Sequence, residues 1–431
     1  MNRIAVATFG CKINQYESAG IIAQFEDHGF QHVAFDEEAE VYVVNSCTVT
    51  NRTDFKSRNA IRKILKKKEL NPNLVLIITG CYVQRNREEL RTLGDIDIVV
   101  DNQHKNIIYD LYCAKQDSFD DIMKYKEFSE MKATEMYDRS RAFVKIQDGC
   151  NFFCTYCAIP YARGTSRSRK KEDVLEQIKI LVDNGYHEVV LGGINMGLYG
   201  RDLYENYFFA DLLADIEKIS GLDDIRLSSI EPQLFTPDVL DFFKNSKKIT
   251  PHFHIPLQSG SDSILKAMKR HYDTAEFRQT ISNIISIFPN AAFGIDVIVG
   301  FPGESDSLFQ ETYDFLASLP ITYLHVFTYS RRKGTPAFAM KNQINGTIKK
   351  ERTNKLIDLS NILTKKYIDL ILTQKIELTA VVEEELDGMW TSLSDHFVRI
   401  YYYGKNLKKK EKIRVKPIRP YKEGIKVEII D

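Results

Sequence analysis

The 431-residue sequence lacks a long hydrophobic run, an excess of one charge and an apolar leader. Its longest purely aliphatic run, LVLII at 74–78, is far too short to span a bilayer. The first residues contain no apolar segment followed by a cleavage site, so we expect no secretory signal. The 59 Lys and Arg balance 59 Asp and Glu, and the net charge therefore favours no class of partner. These absences predict a soluble, cytoplasmic protein without a membrane segment.

Cysteine is scarce, and its count argues against a disulfide scaffold. There are seven cysteines, an odd number, in a sequence without a secretory signal. Cytosolic thiols stay reduced and serve packing, catalysis or metal binding. Three lie far apart near the N-terminus and three form a tight cluster, which directs attention to metal binding.

Residues 1–115 alternate apolar runs with amphipathic stretches. The predicted strands are 4–10, 41–45 and 74–79, and the predicted helices are 16–30, 54–68 and 84–93. The short joints between them predict a parallel α/β domain. Residues 116–140 are polar and aperiodic, which predicts a linker.

Residues 141–371 continue the alternation and predict a second α/β domain. The predicted strands are 142–147, 188–192, 225–229, 252–257, 292–299 and 323–329. Six strand–helix units predict a partial (βα)6 barrel, because a closed barrel of this type has eight. A long helical pattern at 350–372 ends the domain.

Residues 372–431 change character. Their β-branched and aromatic runs, broken by glycine and polar turns, predict a small antiparallel β-barrel or sandwich. Between Arg399 and Lys426 there are eleven Lys and Arg against two Glu. A basic, aromatic-bearing β module suits nucleic-acid binding, although a solvated charged face would give the same pattern.

The tight cysteine cluster is the most specific motif. Cys150, Cys154 and Cys157 form a C-x3-C-x2-C pattern just after a predicted strand. Three thiolates at this spacing can hold a soft metal or an iron–sulfur cluster, and three ligands on a cubane leave one iron open. The alternative is a structural zinc completed by a distant histidine.

The N-terminal cysteines share a position relative to the predicted strands. Cys11, Cys47 and Cys81 each follow an apolar run by two residues or fewer. The carboxyl ends of parallel strands lie at one sheet edge, so this register predicts a second three-cysteine site there. The alternative is that each is a small buried hydrophobe. Cys113, in a helical pattern, is predicted to pack rather than to bind.

Several barrel strands end in joints that suit a ligand site. LGGINMG contains Gly192 and Gly193, IPLQSGSD contains Gln258, and DVIVGFPGE contains Gly300. Together they outline the C-terminal mouth of a barrel, where barrel enzymes place their sites. Three arginines after the cysteine cluster would either grip a phosphate or coat a helix start: Arg163, Arg167 and Arg169.

These motifs resemble the radical S-adenosylmethionine (SAM) superfamily and its methylthiotransferase branch. C-x3-C-x2-C on the first barrel strand is similar to the superfamily motif. The segments CAIPYARGTSRSR, PLQSGSD and VGFPGE, with the three N-terminal cysteines, resemble the methylthiotransferases. The C-terminal module resembles a TRAM domain, an RNA-binding module. The likeness covers essentially the whole chain.

The resemblance implies SAM and two [4Fe-4S] clusters as cofactors. The C-x3-C-x2-C thiols would hold the cluster that binds SAM, and the N-terminal thiols would hold an auxiliary cluster. Residues implied to contact SAM are Tyr156, Gly192, Gly193, Gln258 and Gly300. The family pattern Gly-Gly-Glu reads Gly-Gly-Ile here. One SAM would methylate a cluster sulfur, and a second would give the 5′-deoxyadenosyl radical that activates a C–H bond.

The resemblance also implies the substrate and partners. GCKINQYES around Cys11 is most similar to the branch that methylthiolates C2 of N6-threonylcarbamoyladenosine at tRNA position 37. The expected partners are the tRNA anticodon loop and an electron donor such as flavodoxin or ferredoxin, with the enzyme itself a monomer. Alternatives are methylthiolation of isopentenyladenosine or of a ribosomal protein aspartate, radical methylation without sulfur, and a non-catalytic iron–sulfur or zinc RNA-binding protein.

Overall fold

The N-terminal domain is a five-stranded parallel sheet with helices on its faces. The computed structural model describes residues 2–131, 133 and 139–430. The strands are β1 (Arg3–Thr8), β2 (Gln31–Val33), β3 (Val41–Ser46), β4 (Val75–Gly80) and β5 (Ile98–Val99), in the order β2-β1-β3-β4-β5. The helices are α1 (Lys12–Glu26), α2 (Asn51–Leu70), α3 (Cys81–Arg91) and α4 (Ile108–Ala114). The three predicted strands are confirmed; β2 and β5, of three and two residues, are too short to give a periodic signal.

The central strand of this sheet is enclosed on both faces. Every residue of β3, VYVVNS, is buried, which is typical of a parallel sheet covered by helices. The next helix, α2, begins where the Thr50 hydroxyl accepts a hydrogen bond from the Thr53 amide at 3.2 Å. The buried strand β3 and the N-terminal cap of α2 together fix the path of the backbone around Cys47.

The polar segment 116–140 lies along the N-terminal domain over its described part. Ser118 bridges Val100 beyond β5, and Ile122 and Met131 are buried. Residues 132 and 134–138 of the predicted linker lie outside the described residues.

The middle of the chain forms the predicted partial barrel. Its parallel strands are β6 (Ala142–Lys145), β9 (Glu188–Gly192), β10 (Asp224–Leu227), β11 (His252–Gln258), β12 (Ala292–Val299) and β13 (Tyr323–Thr328); β7 (Gln147–Asp148) and β8 (Arg167–Ser168) form a small ribbon. Two three-stranded halves, β6-β9-β10 and β11-β12-β13, meet where Ile225 bridges Ile249. The helices are α5 (Ile159–Arg163), α6 (Lys171–Asp183), α7 (Phe209–Glu217), α8 (Pro237–Asn245), α9 (Asp262–Ala267), α10 (Thr274–Ile287), α11 (Asp306–Ala317), α12 (Pro336–Ala339) and α13 (Gly346–Gln374). All six predicted barrel strands are present.

The C-terminal domain is a curled six-stranded sheet. Its strands are β14 (Leu378–Val381), β15 (Glu384–Leu386), β16 (Met389–Leu393), β17 (Arg399–Tyr402), β18 (Lys412–Tyr421) and β19 (Gly424–Ile430), in the order β14-β18-β19-β17-β16-β15. A bridge between Ala380 and Ser394 brings its ends together. The prediction of a wholly antiparallel module is wrong in one pair: β17 and β19 are parallel, since the long β18–β19 hairpin returns beside β17.

Side chains of both domains hold the C-terminal domain against the barrel. Arg226 donates to the carbonyl of Ser394 at 3.1 Å, and Phe397 stacks on His252 with ring centroids 4.1 Å apart. Arg141 forms an ion pair with Glu383. No helix within the described ranges is both long enough and apolar enough to cross a membrane.

Candidate cofactor sites

Three thiols lie together in the loop between β7 and α5. Cys150, Cys154 and Cys157 occupy this loop, which is tightened by a hydrogen bond from the Cys157 amide to the Cys154 carbonyl at 3.0 Å. The Thr155 amide donates to the carbonyl of Met268 at 3.0 Å and fastens the loop to the end of α9. The motif therefore forms a compact turn at the mouth of the barrel.

The charges of these thiols act on one another. Burial, followed by the neighbouring Cys154 and Cys150, raises the pKa of Cys157 to about 12. Such mutual effects require sulfur atoms that lie close together. Three adjacent thiols with raised pKa values become thiolates readily only when a metal ion or cluster compensates their charge. The donor set therefore fits a cluster.

A cavity of about 390 Å³ lies beside the loop thiols. Its wall contains all three cysteines together with Tyr156 and Gln258, two of the residues implied to contact SAM. Neither a fourth cysteine nor a histidine is present among the described residues that line it. A closed structural zinc site needs a fourth ligand. The two carboxylates of the wall are already paired, Glu231 with Arg270 and Asp296 with His254, so the cavity favours a centre with an open position.

The other implied SAM contacts lie outside the cavity wall. A Cβ atom on Gly192 or Gly193 would lie 2.1 or 2.9 Å from side chains of β6 and β7, so these glycines let the end of β9 pack against the first barrel strands. A Cβ atom on Gly300 would lie 2.4 Å from Lys349. Ile194 and Asn195, which come next after the paired glycines, do line the cavity. The role of the three glycines in SAM binding stays a prediction.

The cavity wall contains a largely buried ion pair that no sequence motif indicates. Arg270 bonds to Glu231, and its Nη1 lies 3.2 Å from Cys154 Sγ and 3.4 Å from the Tyr156 hydroxyl. Burial raises the pKa of the Glu231 carboxyl, although Arg270 opposes this. Both residues lie outside any motif, so only the fold reveals them.

The N-terminal thiols also come together, at the carboxyl edge of the first sheet. Cys11 precedes α1, Cys47 follows β3, and Cys81 begins α3. Burial, then the charges of Cys81 and Cys11, raises the pKa of Cys47 to about 12. A Cβ atom on Gly10 would lie 2.5 Å from Cys47 Sγ, which places the Cys11 loop directly against that thiol. The shared register thus brings the three thiols to one place.

The segment that follows Cys47 reaches the cavity beside the loop thiols. Val49 and Thr50, which follow Cys47, line the same cavity as the loop thiols of the barrel. Arg332 holds this segment by an ion pair to Asp54 at 2.5 Å. The cavity wall therefore includes residues of the N-terminal domain that lie two and three positions after Cys47.

A buried charge network joins the N-terminal domain to the barrel. Arg163 Nη1 lies 2.7 Å from Glu17 and 3.1 Å from Asp148. Lys145 contacts the same two carboxylates at 2.8 and 2.7 Å, and Lys105 contacts Glu17 at 2.5 Å. All five side chains are buried. These side chains are three cations and two carboxylates, and Arg167 adds a fourth cation 3.8 Å from Asp148, so positive charge is in excess.

Arg163 connects this network to the N-terminal thiols. Its charge lowers the pKa of Cys11, against the larger raising effect of desolvation. Its Nε has no hydrogen-bond partner among the described residues. Excess buried positive charge is costly unless an anion compensates it, and a centre held by three thiolates would supply one. Arg163 is therefore buried in an ion-pair network, and it neither binds an exposed phosphate nor covers the start of a helix. Arg167 and Arg169 are buried as well.

Cys113 is separate from both groups, and its predicted packing role is wrong. Its side chain is exposed on α4, while Ile108 and Leu111 of the same helix are buried. Two residues beyond Leu111 the helix has turned about 200°, which places Cys113 on the opposite face.

Two family descriptions match the chain. The radical SAM superfamily matches residues 144–316, and a family described as "Uncharacterized protein family UPF0004" matches residues 3–101. The second match spans the N-terminal sheet, and the first covers the barrel from β6 to α11 and ends before β13.

Curated relatives are similar over most of the chain. The threonylcarbamoyladenosine tRNA methylthiotransferase MtaB of Bacillus subtilis is 39% identical, covering 100% of this chain and 98% of its own. A tRNA-2-methylthio-N(6)-dimethylallyladenosine synthase of Carboxydothermus hydrogenoformans is 36% identical, covering 83% and 82%. The solved structure of the radical SAM methyltransferase TsrM from Kitasatospora setae aligns with a TM-score of 0.60 at 13% identity, covering 78% of this chain and 75% of that chain, which supports the fold alone.

Proposed function

Because the chain belongs to the threonylcarbamoyladenosine tRNA methylthiotransferase family, we propose that it adds a methylthio group to C2 of N6-threonylcarbamoyladenosine at tRNA position 37. The observation that carries this proposal is the cavity beside the loop thiols, because Val49 and Thr50, which follow Cys47, share its wall with the barrel thiols. Methylthiolation requires a radical source and a sulfur source that act on one substrate atom. A shared chamber provides that geometry.

In this proposal each thiol group holds one [4Fe-4S] cluster. The loop thiols hold the cluster that binds SAM, and the N-terminal thiols hold the second: Cys150, Cys154 and Cys157, then Cys11, Cys47 and Cys81. When bound, the clusters and SAM supply electron transfer, the radical and the sulfur. The protein supplies position and a chamber with restricted access to water.

Residues of the cavity wall position the cofactor in this scheme. Tyr156 offers an aromatic face beside the loop thiols, and Gln258 offers amide hydrogen-bonding groups at the end of β11. Arg270 places positive charge 3.2 Å from Cys154 Sγ, where it stabilises electron density on that sulfur. Ile298 and Phe327 add apolar surface to the wall.

A second cavity supports tRNA as the macromolecular partner. It measures about 710 Å³ and lies where the three domains meet. Its wall carries cationic side chains from all three domains: Lys12, Arg139, Arg141, Arg226, Arg399 and Lys409. Two carboxylates also line it, Glu383 and Glu384, and Glu383 pairs with Arg141 and Arg399. Phosphate contacts of this kind supply much of the affinity for nucleic acid. We assign the tRNA-binding role to this junction and to the basic C-terminal domain, which resembles a TRAM domain.

The remaining parts of the proposal concern partners. The SAM-binding cluster needs a one-electron donor, for which a flavodoxin or ferredoxin is suited. We propose that the chain works as a monomer, because one chain supplies both thiol groups and the cavity beside the loop thiols. We also propose that it works in the cytoplasm, with its tRNA substrate.

Mass spectrometry of tRNA nucleosides from cells with and without the gene tests the function. Deletion should remove 2-methylthio-N6-threonylcarbamoyladenosine and leave N6-threonylcarbamoyladenosine, and the intact gene should restore the methylthio form. Loss of the methylthio form of isopentenyladenosine instead would assign the chain to the other tRNA branch. Unchanged tRNA would contradict the substrate and favour the ribosomal protein. Purified protein that binds iron without cleaving SAM to 5′-deoxyadenosine would indicate a non-catalytic RNA-binding protein.

A further inference from the structure

We propose that His254, Asp296 and His325 form a site for a divalent transition-metal ion inside the barrel, separate from both thiol groups. The three residues lie on neighbouring strands β11, β12 and β13. One potential ligand atom from each lies within 4.8 Å of the others. The proposal does not depend on the proposed reaction, and its test needs neither tRNA nor SAM.

The distances between the ligand atoms suit one metal ion. His254 Nε2 lies 2.9 Å from Asp296 Oδ1 and 3.1 Å from His325 Nδ1, and His325 Nδ1 lies 3.3 Å from Asp296 Oδ1. Zinc holds nitrogen and oxygen ligands at about 2.0–2.1 Å in tetrahedral geometry, which places two ligand atoms about 3.3 Å apart. The three observed separations are close to this value, so an ion could be accepted with small side-chain shifts.

The environment of Asp296 also favours a cation. Its carboxylate is mostly buried, and its ion-pair partners among the described residues are the two histidines, with neither lysine nor arginine. A buried carboxylate needs a positive partner. The Ser229 hydroxyl lies 2.5 Å from Nδ1 of His254 and leaves Nε2 directed at the other two ligands. Such outer hydrogen bonds commonly orient histidines that bind metals.

The chemistry of the ligands indicates the class of ion and what it would bind. Two imidazoles and one carboxylate suit Zn²⁺, Fe²⁺ or Mn²⁺ and leave coordination positions open. Asp296 lines the cavity beside the loop thiols, and His325 is half-exposed on β13. The open positions would therefore take an oxygen ligand from the cavity, such as water or a carboxylate.

Manganese binding to the cluster-loaded protein tests the site. Oxidised [4Fe-4S] clusters are diamagnetic, so the EPR signal of free Mn²⁺ can be followed during an anaerobic titration. We expect one saturable Mn²⁺ site per chain, which Zn²⁺ displaces because it binds such ligands more tightly. Asp296→Asn and His325→Gln should each weaken the affinity at least about tenfold.

A matched control uses a histidine–aspartate pair elsewhere. His187 lies 3.3 Å from Asp223 on the surface, so His187→Gln should leave Mn²⁺ binding unchanged. The half-exposed His325 can be changed with little effect on folding, and cluster absorbance verifies that each variant is intact. Absence of a saturable site in the wild type would overturn the proposal, and so would wild-type affinity in both ligand variants. Either result would leave the three residues as a hydrogen-bonded cluster only.

Discussion

Replacing Glu17 by glutamine should loosen α1 from the barrel. Glu17 accepts hydrogen bonds from Lys105 at 2.5 Å, Lys145 at 2.8 Å and Arg163 at 2.7 Å, and all four side chains are buried. Removing one partner of a buried ion pair costs about 3–5 kcal/mol, because the other charge stays buried without compensation. A loss of about 4 kcal/mol raises the population of the opened state by roughly three orders of magnitude.

Hydrogen exchange measured by mass spectrometry reports this opening directly. Amides of α1 in Glu17→Gln should exchange up to about a thousandfold faster than in the wild type, while the strands of the C-terminal domain should keep their rates. Glu351→Gln changes an exposed carboxylate on α13 and should leave α1 unaffected. If α1 of Glu17→Gln exchanges less than about tenfold faster, the network does not hold the domains together as argued.

The same variant should show a defined pH dependence. Burial favours the neutral form of Glu17 and raises its pKa. The positive charges of Arg163, Lys105 and Lys145 have the larger combined effect and hold the pKa of the carboxyl well below its usual range. A depressed pKa contributes stability above the unfolded value of about 4.3, and this stability is lost as the pH falls towards the folded value. The wild type should therefore protect the α1 amides from exchange more strongly than the variant does. This difference should have its full size at pH 7 and shrink below about pH 4. A difference that grew in acid would refute the charge assignment.

Two further changes test the thiol sites. Cys47→Ala should abolish methylthiolation while SAM cleavage to 5′-deoxyadenosine persists. The control Cys113→Ser, on the exposed face of α4, should retain both activities. Methylthiolated product from Cys47→Ala would contradict the second cluster. Gly149→Ala should lower iron content and melting temperature, because its φ is +72° and the new Cβ would lie 2.0 Å from the Thr165 carbonyl oxygen. Gly303→Ala, with φ +88° and no heavy atom within 4 Å of its Cβ, should cost only about 1–2 kcal/mol and keep its iron.

Periodicity predicted most of the fold because long strands and helices bury a regular face. The barrel strand at 292–299 coincides with β12, and the long helix predicted at 350–372 lies within α13. Elements of two or three residues, such as β5, contain too little pattern to detect. The parallel pairing of β17 with β19 depends on how distant strands meet, which local sequence does not encode.

The thiols were predictable for two different reasons. Cys150, Cys154 and Cys157 are close in sequence, so their spacing alone brings them together. Cys11 and Cys47 are 36 positions apart, and their proximity follows from the rule that parallel strands end at one edge. Whether each group holds a cluster stays a prediction, supported here by the donor sets.

The charged groups around the thiols were not predictable, since each depends on the docking of domains. Glu17 and Arg163 are 146 residues apart and belong to different domains, yet they share one buried hydrogen-bond network. Arg163 acts on Cys11, and Asp148 of the same network immediately precedes the loop of barrel thiols. The contacts that fasten the N-terminal domain to the barrel therefore involve residues next to both thiol groups. We therefore expect a change that weakens this interface to impair a reaction that must bring a radical and a sulfur to one carbon atom.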